Sequence, residues 1–243
     1  MGRKGNSTSV GSREKAFLIV RLLRAIKGVV TYRKLMEATG INMTSLARYV
    51  SGRNMPNRRN REYLEKMLKP LVEEKIINEL DRDSHGFFDN TFAIFHPAPR
   101  MIFALWVLDQ LKNRVGSVTK VLTASTDGVT LATTVADVLG VPVVIAKKEP
   151  EAGVAEFITA RVVRTSGDSF FMFVPKKWLN RKDNVLVVDD VARTGETQRA
   201  LLDIVRKARA RPAGLFVMIG VRGWQERIRG VSCPMGAMIE VSR

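Results

Sequence analysis

Apolar positions follow two different periods along this chain. Over residues 15–30 they recur at helical spacing and stop near Gly28, which predicts an amphipathic helix. Thr31 then reads as the N-cap of a short helix with Leu35 and Met36 inward. A tight turn at Thr39, Gly40 and Ile41 follows, with Gly40 able to take the positive φ that ends a helix. Asn42 caps the next helix, residues 43–50, with Leu46 and Val50 facing the core. Residues 51–56 end it, and a further helix runs over about 59–77. The result is a helix, a tight turn and a second helix inside an all-helical segment.

From about residue 84 the apolar residues come as short unbroken runs separated by helical stretches, which predicts a parallel sheet flanked by helices. A strand at 118–124 runs into the loop Ser125, Thr126, Asp127, Gly128; a helix at 129–139 follows, then a strand at 143–146 that ends in Lys147 and Lys148. Residues 185–188 (Val-Leu-Val-Val) form another buried strand, followed by Asp189 and Asp190, a loop of mostly small residues, and a helical pattern over 198–206. Backbone N–H groups of such a loop and of the helix start make a cradle for a phosphate. Carboxylates repel phosphate but suit the vicinal hydroxyls of a sugar, directly or through a divalent cation. A ribose 5-phosphate therefore fits this strand, loop and helix.

The 243 residues are 45% hydrophobic, enough for one large domain or a small and a medium one. No apolar run approaches the ~20 residues needed to cross a bilayer, so no membrane partner is expected. Residues 1–14 are polar, rich in glycine and serine and without an apolar stretch, and read as a disordered basic arm. The single cysteine, Cys233, reads as a packed residue of a cytoplasmic protein. The net charge of +16 is uneven: residues 1–72 hold 16 Lys or Arg against 4 Asp or Glu. Such a basic excess is the footprint of a module that binds a polyanion.

Residues 185–197 closely resemble the phosphoribosyl-diphosphate (PRPP) signature of type I phosphoribosyltransferases, an apolar strand followed by Asp-Asp and a Thr-Gly-x-Thr turn. The resemblance implies that Asp189 and Asp190 hold the ribose hydroxyls. It gives the 5-phosphate to Thr194, Gly195, Glu196 and Thr197, with Arg193 in the same loop. Residues 125–128 become the diphosphate loop, with Lys147 and Lys148 facing the diphosphate. Residues 161–182 become a hairpin that closes over the site, and 214–240 the closing strands and hood of the purine branch. The resemblance covers about 160 residues, with loop order nearest the purine-operon repressor and xanthine phosphoribosyltransferases. It implies Mg²⁺ arriving with PRPP, and no tightly bound cofactor is expected. Ala192, Arg193, Glu196 and Asp127 depart from the family pattern.

Residues 31–56 resemble the Cro/repressor type of helix-turn-helix, with Met36 in place of the usual alanine. By that resemblance Met43, Thr44, Ser45 and Arg48 face base edges, and Arg53, Arg58 and Arg59 contact phosphates. The expected domains are the arm at 1–14, a helix-turn-helix DNA-binding domain at 15–80, and an α/β phosphoribosyltransferase-type domain at 84–243. With Asp127 beside the departing diphosphate, Arg193 in the ribose loop and an intact recognition helix, the expectation is a homodimeric transcriptional regulator and not an enzyme. Double-stranded DNA and a PRPP or nucleotide effector are its expected partners. The alternative is an active adenine- or xanthine-type purine phosphoribosyltransferase with an accessory N-terminal domain.

Overall fold

A computed structural model describes residues 12–81, 87–111, 117–228, 230 and 232–242. It divides into two compact units, Thr8–Ile102 and Phe103–Arg243. Most of the arm, residues 1–11, lies outside the described residues. Its last three, Ser12, Arg13 and Glu14, belong instead to the first helix, because charged residues of good helix propensity extend the pattern back by a turn.

The first unit is helical: α1 (Ser12–Lys27), α2 (Tyr32–Thr39), α3 (Met43–Ser51), α4 (Arg58–Glu79) and α5 (Thr91–Phe95), with the start of α6 (Pro97–Leu111). Local chemistry fixes the α2–α3 connection. The Thr31 hydroxyl accepts from the Lys34 N–H at 3.3 Å, and Asn42 Oδ1 accepts from the Ser45 N–H at 2.9 Å. Gly40 ends α2 at φ +62°, donating its N–H to the Met36 carbonyl. Leu22, Leu23, Leu35, Leu46, Leu64 and Leu68 are fully buried, each contributing about 1.5–3 kcal/mol by leaving water. Met36 and Val50 are only half-buried. The Tyr63 hydroxyl donates to the Thr39 carbonyl at 2.8 Å and ties α4 to the turn.

The second unit carries β1 (Lys120–Ala124), α7 (Gly128–Leu139), β2 (Val143–Ala146), β3 (Phe157–Val163), β4 (Ser169–Pro175), β5 (Asn184–Ala192), α8 (Glu196–Lys207), β6 (Arg211–Val221) and β7 (Met235–Val241). Five strands form a parallel sheet in the order β2-β1-β5-β6-β7. The remaining two, β3 and β4, make a separate antiparallel hairpin. Strands β1, β2, β5 and β6 bury Leu122, Val144, Val187 and Leu215 in one core cluster with Leu201 and Ile204 of α8 and Ala160 and Val174 of the hairpin.

Chain order and spatial order together place a crevice. From β1 the chain winds outward through α7 to β2, and from β5 it winds the other way through α8 to β6. The adjacent strands β1 and β5 thus form a topological switch point, where the loops at their C-terminal ends separate. Beneath them, Lys120 and Asp183 pair at 3.1 Å with side chains only 14% and 8% exposed.

Candidate PRPP site

Both loops singled out in the sequence leave the sheet at this switch point. Residues 125–127 follow β1, and residues 193–195 follow β5. The Ser125–Thr126 peptide is cis, and Gly128 opens α7. A Cβ on Gly128 would lie 2.5 Å from both Asp189 Oδ1 and Thr123 Oγ1. Only glycine lets the loop at 125–128 approach Asp189 so closely.

Strand β5 runs on through the acid pair to Ala192, where sequence reasoning had ended the strand before Asp189. Asp189 is 4% exposed, whereas Asp190 is half-buried. Burial, then the neighbouring Asp190 charge, pushes the Asp189 carboxyl well above the usual carboxylate range. Burial also raises Asp190, and the charge of Asp127 adds to that rise. One environment therefore holds three acids, of which Asp190 is the partly open one of the adjacent pair.

Gly195 is the N-cap of α8, at φ +78°, and no side chain caps the helix start. Thr194, Glu196 and Thr197 are half-buried around it. The first turn of α8 therefore carries backbone N–H groups and the positive end of the helix dipole, and its N-cap glycine has no side chain to accept from them. Glu196 does not close the cradle: its carboxylate accepts a hydrogen bond from Thr165, at the tip of the β3–β4 hairpin. Arg193 is half-buried in the same loop.

Each of the two lysines has a neighbour of its own. Lys147 pairs with Glu151 at 2.9 Å, and Lys148 Nζ stands over the Phe170 ring at 5.2 Å. Phe170 takes a second cation, Arg164, on the same hairpin. Met43, Thr44 and Arg48 are exposed on α3 and Ser45 is half-buried, while Arg53, Arg58 and Arg59 are exposed beyond its end. Arg58 pairs with Glu62 at 3.0 Å. These seven belong to the helical unit. Sequence reasoning missed Gln198, a buried amide that donates to Asp189, and Thr165; the signal for Gln198 was a polar residue within the apolar stripe of α8.

Burial pushes the Cys233 thiol up to about 11, as suits a packed residue and not a nucleophile. Among the described residues no helix is long and apolar enough to cross a membrane. No three His, Cys, Asp or Glu side chains cluster to hold a metal ion among those residues.

Fold and site define an α/β domain with a five-stranded parallel sheet and two loops at its switch point. Residues 103–234 match the family described as the phosphoribosyl transferase domain, and the chain belongs to that family. It is 39% identical over 103 residues to the xanthine phosphoribosyltransferase of Heliobacterium modesticaldum, covering 42% of this chain and 55% of the relative. With the xanthine phosphoribosyltransferase of Alkaliphilus metalliredigens it shares 34% over 126 residues, 49% of this chain and 62% of the relative. The chain thus spans less than two thirds of the length of these relatives. The adenine phosphoribosyltransferase of Thermoanaerobacter pseudethanolicus superposes with a TM-score of 0.62 at 17% identity, covering 70% of this chain and 99% of that one. The adenine phosphoribosyltransferase of Rhodothermus marinus gives 0.62 at 20%, covering 71% and 99%. These structures share the fold.

Those relatives correct one expectation. A regulator that binds PRPP without consuming it was inferred from Asp127 and Arg193, yet the matching proteins are named as transferases. Neither residue blocks the loops: Asp127 is exposed at the N-cap of α7, and Arg193 leaves the Gly195 turn intact. The enzyme reading, kept as the alternative, is the one these findings favour.

Proposed function

We propose that the unit Phe103–Arg243 is a purine phosphoribosyltransferase, with xanthine as the first base to try. The observation that carries this reading is the convergence of the acid pair, the uncapped start of α8 and the loop at 125–128 on one switch point. A three-part ligand fits those three features. The 5-phosphate takes the N–H groups of residues 194–197, the ribose hydroxyls take Asp190, and the diphosphate takes the loop at 125–128.

In the reaction a purine ring nitrogen bonds to C1 of the ribose. The C1–O bond to diphosphate breaks, its electron pair leaves with diphosphate, and the ring N–H proton passes to solvent or base. Bound Mg²⁺ would neutralise the charge that develops on diphosphate. The chain's own part is to orient: Asp190 fixes the ribose, the α8 N-terminus fixes the phosphate, and the hairpin tip at Thr165 stands over the loop. Incubation with PRPP, Mg²⁺ and each of xanthine, hypoxanthine, guanine and adenine tests the proposal by diphosphate release.

The finer reading of the helical unit is part of this proposal, as a module accessory to the enzyme. The α2–turn–α3 arrangement, with its Thr31, Gly40 and Asn42 caps, supports a helix-turn-helix. Met43, Thr44, Ser45 and Arg48 would then meet nucleic-acid bases, and Arg53, Arg58 and Arg59 phosphates. Filter binding of duplex DNA to the full chain tests this. Salt-dependent binding that Arg53→Ala with Arg59→Ala weakens supports it; no binding at low salt refutes it.

A further inference from the structure

Gln198 lies in the first turn of α8 and is 1% exposed. Its Nε2 donates to Asp189 Oδ2 at 2.8 Å and to the Val191 carbonyl at 3.3 Å. The other oxygen, Asp189 Oδ1, accepts the Asp190 N–H at 3.2 Å and lies against Gly128, where a Cβ would come within 2.5 Å. The Thr123 hydroxyl sits at the same distance from that point, and Thr123 is fully buried. Both oxygens of Asp189 are therefore taken up by the protein, and the residue is 4% exposed.

A carboxylate in that position has no free edge for a sugar. It touches instead the three segments whose spacing a three-part ligand needs: the start of α7, the end of β5 and the first turn of α8. We propose that Asp189 is an internal strut and not a ribose ligand, and that Gln198 is the positioning residue that holds it, leaving Asp190 as the acid that meets the ribose. The inference rests on the PRPP reading of this site and assigns different work to two adjacent, chemically identical residues.

An exchange of amide and carboxylate tests it in the full chain. Asp189→Asn keeps a carbonyl to accept from Gln198 and loses only the 3.2 Å bond from the Asp190 N–H, so PRPP affinity falls by no more than about tenfold in calorimetry with Mg²⁺. Asp190→Asn weakens PRPP by roughly thirtyfold or more, since a charge-assisted bond to ligand is lost. Gln198→Glu sets two acids together and weakens PRPP by about tenfold. Asp189→Asn with Gln198→Glu restores an amide–carboxylate pair and recovers the affinity. The recovery is read in KM for PRPP with kcat at saturation unmoved, at a temperature well below every variant's Tm. A purely structural effect would shift Tm and leave KM alone.

Equal losses from Asp189→Asn and Asp190→Asn overturn the proposal, as does an exchanged pair no better than Gln198→Glu alone. Should Gln198→Glu fail to fold, the comparison of the two Asn variants decides. Should the wild type bind no PRPP, the functional reading fails. The strut is then tested by unfolding: recovery of Tm in the exchanged pair supports it, and no recovery refutes it.

Discussion

Gly195 packs against the backbone carbonyl of Trp224 so closely that a Cβ on the glycine would lie 2.5 Å from that oxygen. The contact joins the loop at 193–195 to the segment after β6. Gly195 also sits at φ +78°, which L side chains rarely adopt. Gly195→Ala is therefore expected to cost about 1–3 kcal/mol of stability and to raise the KM for PRPP roughly tenfold or more. Thermal unfolding and steady-state kinetics on the same preparation check both.

Glu196 places a negative charge in the first turn of α8, beside the loop read as the 5-phosphate cradle. Its bond from Thr165 holds it toward the hairpin tip. Glu196→Gln removes the charge and keeps an acceptor, so the KM for PRPP should fall about two- to fivefold at low salt, and less at high salt. Thr165→Val removes this donor from the carboxylate and should move KM the opposite way.

The raised pKa of Asp189 makes stability depend on pH. A carboxyl held above its unfolded value contributes stability that is fully present below the unfolded pKa, near the ordinary aspartate value of 3.8, and lost as pH rises through the folded one. Acid should accordingly stabilise the ligand-free unit relative to Asp189→Asn over the range above 3.8, until other carboxylates titrate. Urea unfolding of both proteins across pH 4.5–8 (roughly the accessible window) checks the sign: the difference should shrink as pH falls.

Asp183 anchors the far end of the sheet. It accepts from Lys120 Nζ at 3.1 Å, from the Asn180 N–H at 2.8 Å and from the Thr119 hydroxyl at 3.2 Å, and is 6% exposed. Asp183→Ala strands a poorly exposed ammonium and should cost about 3–5 kcal/mol, read in denaturant unfolding, with PRPP affinity unchanged in whatever remains folded.

The local chemistry of this chain was legible in its residues. Thr31, Gly40 and Asn42 act on neighbours three or four positions away, so their caps follow from sequence alone. The β5 run of Val, Leu and Val needed no partner to be read as a buried strand. Helix α6 was missed because it is apolar nearly all round: Ile102, Phe103, Val107 and Leu111 are all buried, and no polar face sets a period. Its Trp106 meets Phe216 edge-on at 5.5 Å, a contact between residues far apart in the chain. The division of labour between Asp189 and Asp190 was likewise invisible, because it depends on Gln198 and Gly128 closing over one of them. That Glu151 pairs with Lys147 and Phe170 lies under Lys148 was likewise not legible in the sequence.

The most direct test of the account is the rate of diphosphate release from PRPP and Mg²⁺ with each of the four purine bases. The account predicts release that requires a base, runs fastest with one of them, and disappears in Asp190→Asn. PRPP that binds tightly, yet yields no diphosphate with any base, would contradict it.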